Sequence, residues 1–370
     1  MRQNLSWEEY SALETSEKIP YLSKRDGKGL FHVLFAQQFD RPLLDALCTL
    51  ADAIRRIHKT PEGARFLQDL LCDRQALNLF AQPSTRTFLS FVAAEQNLGM
   101  GYVDIRDLST SSQAKGESFQ NSIRTFSSYV DLIVMRHPDQ GACEVAAWEM
   151  NMAERRIPVI NGGSGRDQHP TQALLDIYTL RKSLGEIDGK KIAMVGDLAR
   201  GRTVRSLSYL MRNYKDVEIV YVAPKELRIG ADIRAFLKRH NIPFTETEDL
   251  ASVVSEVDAI YMTRVQGEWD QKEGSTGDKS RSDPRFVFKR EYLDRMKKRS
   301  CLMHPLPKVN EIDPELDYVD DPRVVYWRQE RNGMWIRAAL IAHIFEVEDR
   351  IRTRPEAKEV ISTSKRQRRR

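Results

Sequence analysis

Ser84-Thr85-Arg86-Thr87 places hydroxyls and one guanidinium on consecutive residues. The apolar run 77–80 before it reads as a strand that ends near Gln82-Pro83, and Ser84 then stands where a helix cap belongs. Phe88, Phe91, Val92 and Leu98 mostly fall at helical spacing, so the segment opens a helix. A helix N-terminus has unpaired N–H groups and a partial positive charge, and Arg86 adds a full one. Such an end suits a phosphate or a carboxylate. Taken alone, an ordinary capped helix with a surface arginine has the same sequence.

Further blocks follow in order. They are Ser111 with Lys115-Gly116-Glu117, Val134-Met135-Arg136-His137-Pro138, and Gln168-His169-Pro170-Thr171-Gln172. Then come Gly201-Arg202-Thr203, Met262-Thr263-Arg264-Val265-Gln266 and His304-Pro305-Leu306-Pro307. Arg86, Arg136, His169, Arg264 and Pro305 each lie a little past an apolar run. Ligands of open α/β sheets bind beyond the carboxyl ends of strands, so one cleft between two domains is expected to gather these residues. Arg86, Lys115, Arg136, His169, Arg202 and Arg264 face only Glu117 and Asp197 nearby in sequence. Separately, Arg136 could be a surface ion pair, His169 a structural histidine, Arg202 a partner of Asp197, and Arg264 a neighbour of Glu268. Together they describe a site for anionic substrates.

The elements that must hold these residues alternate. Leu43, Leu47, Leu50, Ile54 and Ile57 recur at spacings of four and three, which puts a helix over 42–57. Residues 132–135 and 158–160 read as short buried strands around a helix at 144–154. A helix over 171–182 should bridge the two halves. Strands then fall at 191–195, 218–222, 259–262 and 302–304, with helices at 203–213, 232–240 and 332–346. Residues 267–284 turn polar and rich in Gly, Ser and Asp, as a mobile loop would. The expected class is α/β: two doubly wound domains, each a parallel sheet covered by helices, with the active site in the cleft between them. Residues 1–29 read as an extension outside the core whose aromatics (Trp7, Tyr10, Tyr21) could pack as a helix or strap.

A chain of 370 residues is long for one core, which fits two domains. Hydrophobic content of 41% and charged content of 30% describe a soluble globular protein. No apolar run approaches the ~20 residues of a membrane span. Residues 1–28 lack the apolar stretch of a secretory signal. Cys48, Cys72, Cys143 and Cys301 are far apart, which argues against a zinc ribbon or disulfide framework and fits a reducing cytosol. His58 and Cys72 have no ligand-like neighbours in sequence, so no structural metal is expected. The segment 353–370 contains seven basic and two acidic residues and thus carries the whole formal charge of +5. Its basic end could meet RNA, anionic lipid or an import receptor, but blocks of like charge are commonly solvated, and a disordered tail is the expectation.

In this order the blocks closely resemble the aspartate carbamoyltransferases, from about residue 39 to about residue 345. The resemblance implies transfer of the carbamoyl group of carbamoyl phosphate to L-aspartate in de novo pyrimidine biosynthesis, by a homotrimer with no cofactor; the expected compartment, from the cysteines, is cytoplasmic. It implies a carbamoyl-phosphate-binding domain at 30–170 plus 332–352, where the last helix crosses back, and an aspartate-binding domain at 171–331. Ser84, Thr85, Arg86 and Thr87 would take the phosphate, with Ser111 and Lys115 arriving from a neighbouring subunit. Arg136, His169 and Gln172 would hold the carbamoyl group, with Thr87 and His169 donating to its oxygen as charge develops. Arg202, Arg264 and Gln266 would bind the aspartate carboxylates, with Lys115 and Leu306 also contacting aspartate, and Pro305 and Leu306, which also border the carbamoyl phosphate, would orient the amine through their backbone. Catalysis would rest on positioning and charge stabilisation, and the departing phosphate can take the amine proton.

Three positions depart from the family pattern. Gln82 stands where a Glu usually precedes the Ser-Thr-Arg-Thr block, Phe88 where an Arg often follows it, and Lys308 replaces the Arg after His-Pro-Leu-Pro. Lys keeps the charge but loses the planar fork. The run from Gly196 to Thr203 is one residue from a phosphate-loop pattern, with Arg202 where Lys is required, and no second strand ends in a metal-binding Asp. An ornithine-type acceptor would want an acidic or thiol element for its cationic amine, whereas Arg264-Val265-Gln266 favours a carboxylate. A non-catalytic homologue would be expected to have lost Arg86, Lys115 or His169, and all are present.

Overall fold

A computed structural model of the chain describes residues 5–24, 29–107, 116–165, 168–264 and 283–367, with side chains through Thr363. The backbone divides into two compact units, Met1–Leu174 with Gly333–Arg370, and Leu175–Asn332.

The first unit is a parallel sheet with helices on both faces. Its elements begin with α1 (Trp7–Ser11), α2 (Thr15–Lys18), α3 (Arg41–Ile57) and α4 (Pro61–Gln68). They continue with β1 (Gln75–Phe80), α5 (Thr85–Asn97), β2 (Gly101–Ile105), α6 (Phe119–Ser127), β3 (Leu132–Arg136), α7 (Ala142–Met152) and β4 (Val159–Asn161). Asp40 caps α3 by accepting from Leu43 N at 2.8 Å, with Pro42 in the first turn, and Leu44, Leu47, Ile54 and Ile57 turn inward. The strand order is β2-β1-β3-β4, and the register sets Phe80 beside Arg136 and Met135 beside Asn161. Leu77, Leu79, Ile133, Met135 and Val159 pack against Ala146, Ala147 and Met150 of α7. These near-continuous apolar strands are what a sheet covered on both faces requires.

The second unit repeats the plan. It contains β5 (Lys191–Val195), α9 (Arg202–Leu210), β6 (Glu218–Val222), α10 (Ala231–Arg239), β7 (Phe244–Thr247), α11 (Leu250–Val253), β8 (Ala259–Met262) and β9 (Cys301–Met303). Its order is β7-β6-β5-β8-β9, again all parallel. The divisions between units fall inside α8 (Pro170–Leu184) and α12 (Tyr326–Ile344). After α12 come α13 (Glu348–Arg352) and α14 (Pro355–Gln367).

Both terminal segments pack on the first unit, the extension as its aromatics allowed and the tail against expectation. The extension is part of the first unit: Tyr10 and Leu22 are buried, Trp7 packs edge-on to Trp148 of α7, and Trp148 Nε1 donates to Leu5 O at 3.1 Å. The tail expected to be disordered over 353–370 is instead helical over Pro355–Gln367 and lies on α3. Ala357 is fully buried, Arg354 stacks over Phe66, and Arg56 bonds Glu359 at 3.2 Å. The charge count describes the helix's composition but not its apolar stripe, and that stripe decides the packing. The strands β2 and β7 also went unread, because they are sheet edges with few buried side chains.

Candidate active site

The carboxyl ends of β1, β3 and β4 lie side by side, and each is followed by a residue expected in the site. After β1, the Gln82 N–H donates to Arg136 O at 3.2 Å, joining the two strand ends through the backbone. Ser84 occupies the N-cap of α5 but makes no side-chain capping bond, so the expected cap is absent and its hydroxyl is not used by its own helix. Thr85 is exposed, Arg86 half-buried and Thr87 buried at the start of α5. Arg136 ends β3, and its Nη1 donates to Gly162 O at 3.5 Å.

β4 ends on Asn161, which organises the turn that follows. Its side-chain oxygen accepts from Gly163 N at 2.8 Å and Ser164 N at 2.9 Å, while its amide nitrogen donates to Leu34 O and Gln168 O. This buried side chain holds a loop whose backbone groups would otherwise lack partners. The loop presents His169 at the start of α8; the Gln172 N–H is shared between His169 O at 3.0 Å and the ring Nδ1 at 3.3 Å, and Thr171 Oγ1 lies 3.5 Å from the same Nδ1. A backbone N–H aimed at Nδ1 leaves the proton of the neutral ring on Nε2. That Nε2 lies 3.4 Å from Thr87 Oγ1. Gly163 makes the close approach possible: its φ is +99°, and a Cβ there would come within 2.7 Å of the His169 ring. Gln172 is buried one turn along.

In the second unit, the loops after β5 and β8 are locked together. Thr263 donates to Val195 O through both its N–H and its hydroxyl, each at 2.8 Å. Gly196, at φ +113°, leaves room for Thr263, whose carbonyl would be 2.3 Å from a Cβ. Arg202 opens α9 after Gly201, and Arg264 follows β8; both are half-buried. The buried Asp197 accepts from Arg200 N at 3.1 Å. β9, beside β8, leads into His304-Pro305-Leu306-Pro307, where Leu306 has φ +53°. Ser111, Lys115 and Gln266 lie outside the described residues, as does nearly all of the expected loop at 267–284.

Two of the three family departures, Phe88 and Lys308, have local partners. Phe88 is buried edge-on against Phe80, and the Arg106 guanidinium stacks over its ring at 4.8 Å. Lys308 pairs with Asp317 at 2.7 Å. Sequence reasoning missed Asn161, Gly163 and Glu311, which act on site residues through hydrogen bonds or space. The only signal was Asn161-Gly162-Gly163-Ser164, a turn-like string just past an apolar run. Among the described residues, no group of three or more His, Cys, Asp or Glu is placed to hold a metal ion.

One sheet thus offers guanidiniums, hydroxyls and an Nε2–H imidazole beyond its strand ends, and a second offers two further guanidiniums; these are the parts of an α/β enzyme for anionic substrates. Residues 32–182 match the family model of the aspartate/ornithine carbamoyltransferase carbamoyl-P binding domain, and residues 188–344 match that of the Asp/Orn binding domain. The chain belongs to the aspartate/ornithine carbamoyltransferase family. It is 40% identical to aspartate carbamoyltransferase 1, chloroplastic, of Pisum sativum, over 88% of this chain and 81% of that protein. It is 41% identical to the aspartate carbamoyltransferase catalytic subunit of Methanocaldococcus jannaschii, over 77% of this chain and 92% of that one. Among solved structures it resembles the Trypanosoma cruzi aspartate transcarbamoylase in complex with aspartate and phosphate, with a TM-score of 0.74 and 34% identity over 88% and 98% of the two chains.

Proposed function

We infer that this chain transfers the carbamoyl group of carbamoyl phosphate to the amino group of L-aspartate, giving N-carbamoyl-L-aspartate and phosphate for pyrimidine (UMP) synthesis. The observation that carries the choice of acceptor is the Thr263–Val195 lock, which holds the Arg202 and Arg264 loops at adjacent strand ends. Two guanidiniums suit a dicarboxylate and oppose the extra ammonium of ornithine. Ser84, Thr85, Arg86 and Thr87 take the phosphate; Arg136, His169 and Gln172 take the carbamoyl group. The amine attacks the carbonyl carbon directly, its oxygen gains negative charge opposite Thr87 and the Nε2–H of His169, and the C–O bond to phosphate breaks. The leaving phosphate accepts the amine proton. Parallel assays with aspartate and ornithine test this reading: aspartate turnover is expected to dominate, and faster ornithine turnover would end it.

The assembly we propose is a homotrimer whose neighbouring subunit supplies Ser111 and Lys115. The outer edge of β2 supports it. Tyr102 and Val103 are 37% and 46% exposed on the edge strand that leads to residue 108, while the opposite edge is covered where Val33 bonds β4. An exposed edge carrying large apolar side chains is a pairing or packing surface. The proposed compartment is the cytosol. Four free thiols, three of them buried, suit a reducing environment, although the pea relative is named chloroplastic. Cell fractionation decides between cytosol and organelle.

A further inference from the structure

The loop that begins at His304 is held by a carboxylate to which the reaction gives no role. Glu311 is 2% exposed and His304 is 1% exposed. Glu311 Oε1 lies 2.6 Å from His304 Nε2, and the same carboxylate accepts from Val309 N and Asn310 N at 3.1 and 3.0 Å. On the other side of the ring, Leu306 N donates to Nδ1 at 2.7 Å. An Nδ1 that accepts from a backbone N–H carries no proton, so the neutral ring has its proton on Nε2 and gives it to Glu311. The hydrogen bonds therefore run in one direction, from Leu306 N–H to the ring and from the ring to the carboxylate. Burial pushes the Glu311 carboxyl up, but the bonds from His304 and the loop backbone outweigh it and hold the group below the usual carboxylate range.

The bond to Leu306 matters because of that residue's backbone. Leu306 sits at φ +53°, a region an L side chain enters only when its surroundings hold it there. The root of the loop is fixed from the opposite direction: His304 N donates to Gln329 Oε1 at 2.9 Å, and Gln329 Nε2 donates to Asp176, which also accepts from Tyr261. The loop is thus clamped at its base by Gln329 and at its bend by the Glu311–His304 pair.

We propose that Glu311 is a positioning residue for the acceptor amine: through His304 it fixes the Leu306 backbone, and with it the carbonyls of Pro305 and Leu306. The proposal rests on the reading of those carbonyls as the amine's acceptors. Glu311→Gln is the near-isosteric test. Turned one way, the amide nitrogen faces the N–H groups of Val309 and Asn310. Turned the other way, it faces Nε2 and drives the ring proton to Nδ1, where it opposes the Leu306 N–H.

The experiment measures steady-state kinetics for both substrates in wild type, Glu311→Gln, His304→Asn, His304→Leu and the Glu311→Gln/His304→Leu double variant, with folding followed by circular dichroism and thermal melting. In Glu311→Gln, kcat/KM for aspartate is expected to fall roughly ten- to hundredfold, as when a charge-assisted bond is lost, with KM for carbamoyl phosphate within about twofold. A general loosening of the fold would move both substrates. His304→Leu should match Glu311→Gln, and the double variant should be no worse than either alone, because both cut one chain of bonds. His304→Asn, whose amide oxygen can still accept from Leu306 N, should recover part of the loss. If Glu311→Gln does not fold, the contrast between His304→Asn and His304→Leu carries the test. Wild-type aspartate kinetics in a folded Glu311→Gln, equal losses for both substrates, additive losses in the double variant, or no difference between Asn and Leu at 304 would each overturn the proposal. Inactive wild-type protein with aspartate would instead overturn the functional reading beneath it.

Discussion

Thr87 Oγ1 and His169 Nε2 lie 3.4 Å apart although 82 residues separate them in the chain. The ring's Nδ1 is occupied by the Gln172 N–H, so Nε2 is a donor, and the Thr87 hydroxyl beside it is a second. Two donors converging on one point suit an oxygen that gains charge during the reaction, and a ring already protonated at Nε2 cannot be a base at that atom. His169→Ala is therefore expected to lower kcat by roughly 10²–10³ with folding intact. Gly163→Ala should also impair turnover, because its Cβ would push on the same ring. Trapping a carbamoylated enzyme by mass spectrometry would contradict direct transfer.

Arg264→Ala should weaken aspartate use far more than carbamoyl phosphate binding. Removing a charge-assisted bond of this kind costs on the order of 1.5–3 kcal/mol. Isothermal titration with carbamoyl phosphate, beside aspartate kinetics, separates the two effects; equal losses would exclude a role confined to aspartate.

Shared sites in a trimer predict complementation. Arg86→Ala and Lys115→Ala proteins should each be nearly inactive, yet mixed trimers regain some complete sites because each parent supplies what the other lacks. Mixed trimers as inactive as their parents would place Lys115 in its own subunit's site.

Glu95 of α5 gives stability a pH dependence. It is fully buried, its partner is Asn78 Nδ2 at 2.8 Å, and burial pushes its carboxyl up to about 7. The folded state then holds a proton that the unfolded chain releases near 4.5, so this contribution is complete below pH 4.5 and is lost as pH rises through 7. Across that window the loss is roughly 3 kcal/mol. His32, buried and pushed down to about 3, works the other way: its contribution is lost as pH falls below 6.5. Urea midpoints at pH 6 and pH 8.5 should converge in Glu95→Gln relative to wild type. An unchanged pH slope in that variant would show that Glu95 is ionised throughout.

Deleting residues 353–370 should destabilise the first unit. It strips α14 from α3, uncovering the surface that buries Ala357 and removing the Arg354–Phe66 stack. The expected loss is roughly 2–4 kcal/mol from apolar area alone. An unchanged melting temperature would return the segment to the dispensable tail that its charge suggested.

The sequence by itself determined the alternation of strands and helices, because buried parallel strands must be apolar along their length and leave clear runs such as 132–135 and 259–262. It also determined which cations stand just past strand ends, since motif residues are local in the chain. It did not show that Ser84 leaves its helix uncapped, that 355–367 packs as a helix, or that Asn161, Gly163 and Glu311 support the site. Those depend on what an atom meets across the fold. The tautomer of His169 follows from the Gln172 N–H, the room beside its ring from a missing Cβ at Gly163, and the bend at Leu306 from a carboxylate five residues on. Residue type and spacing name the reacting groups, but hydrogen-bond direction and excluded volume exist only once the chain is folded, and these decide where each proton sits.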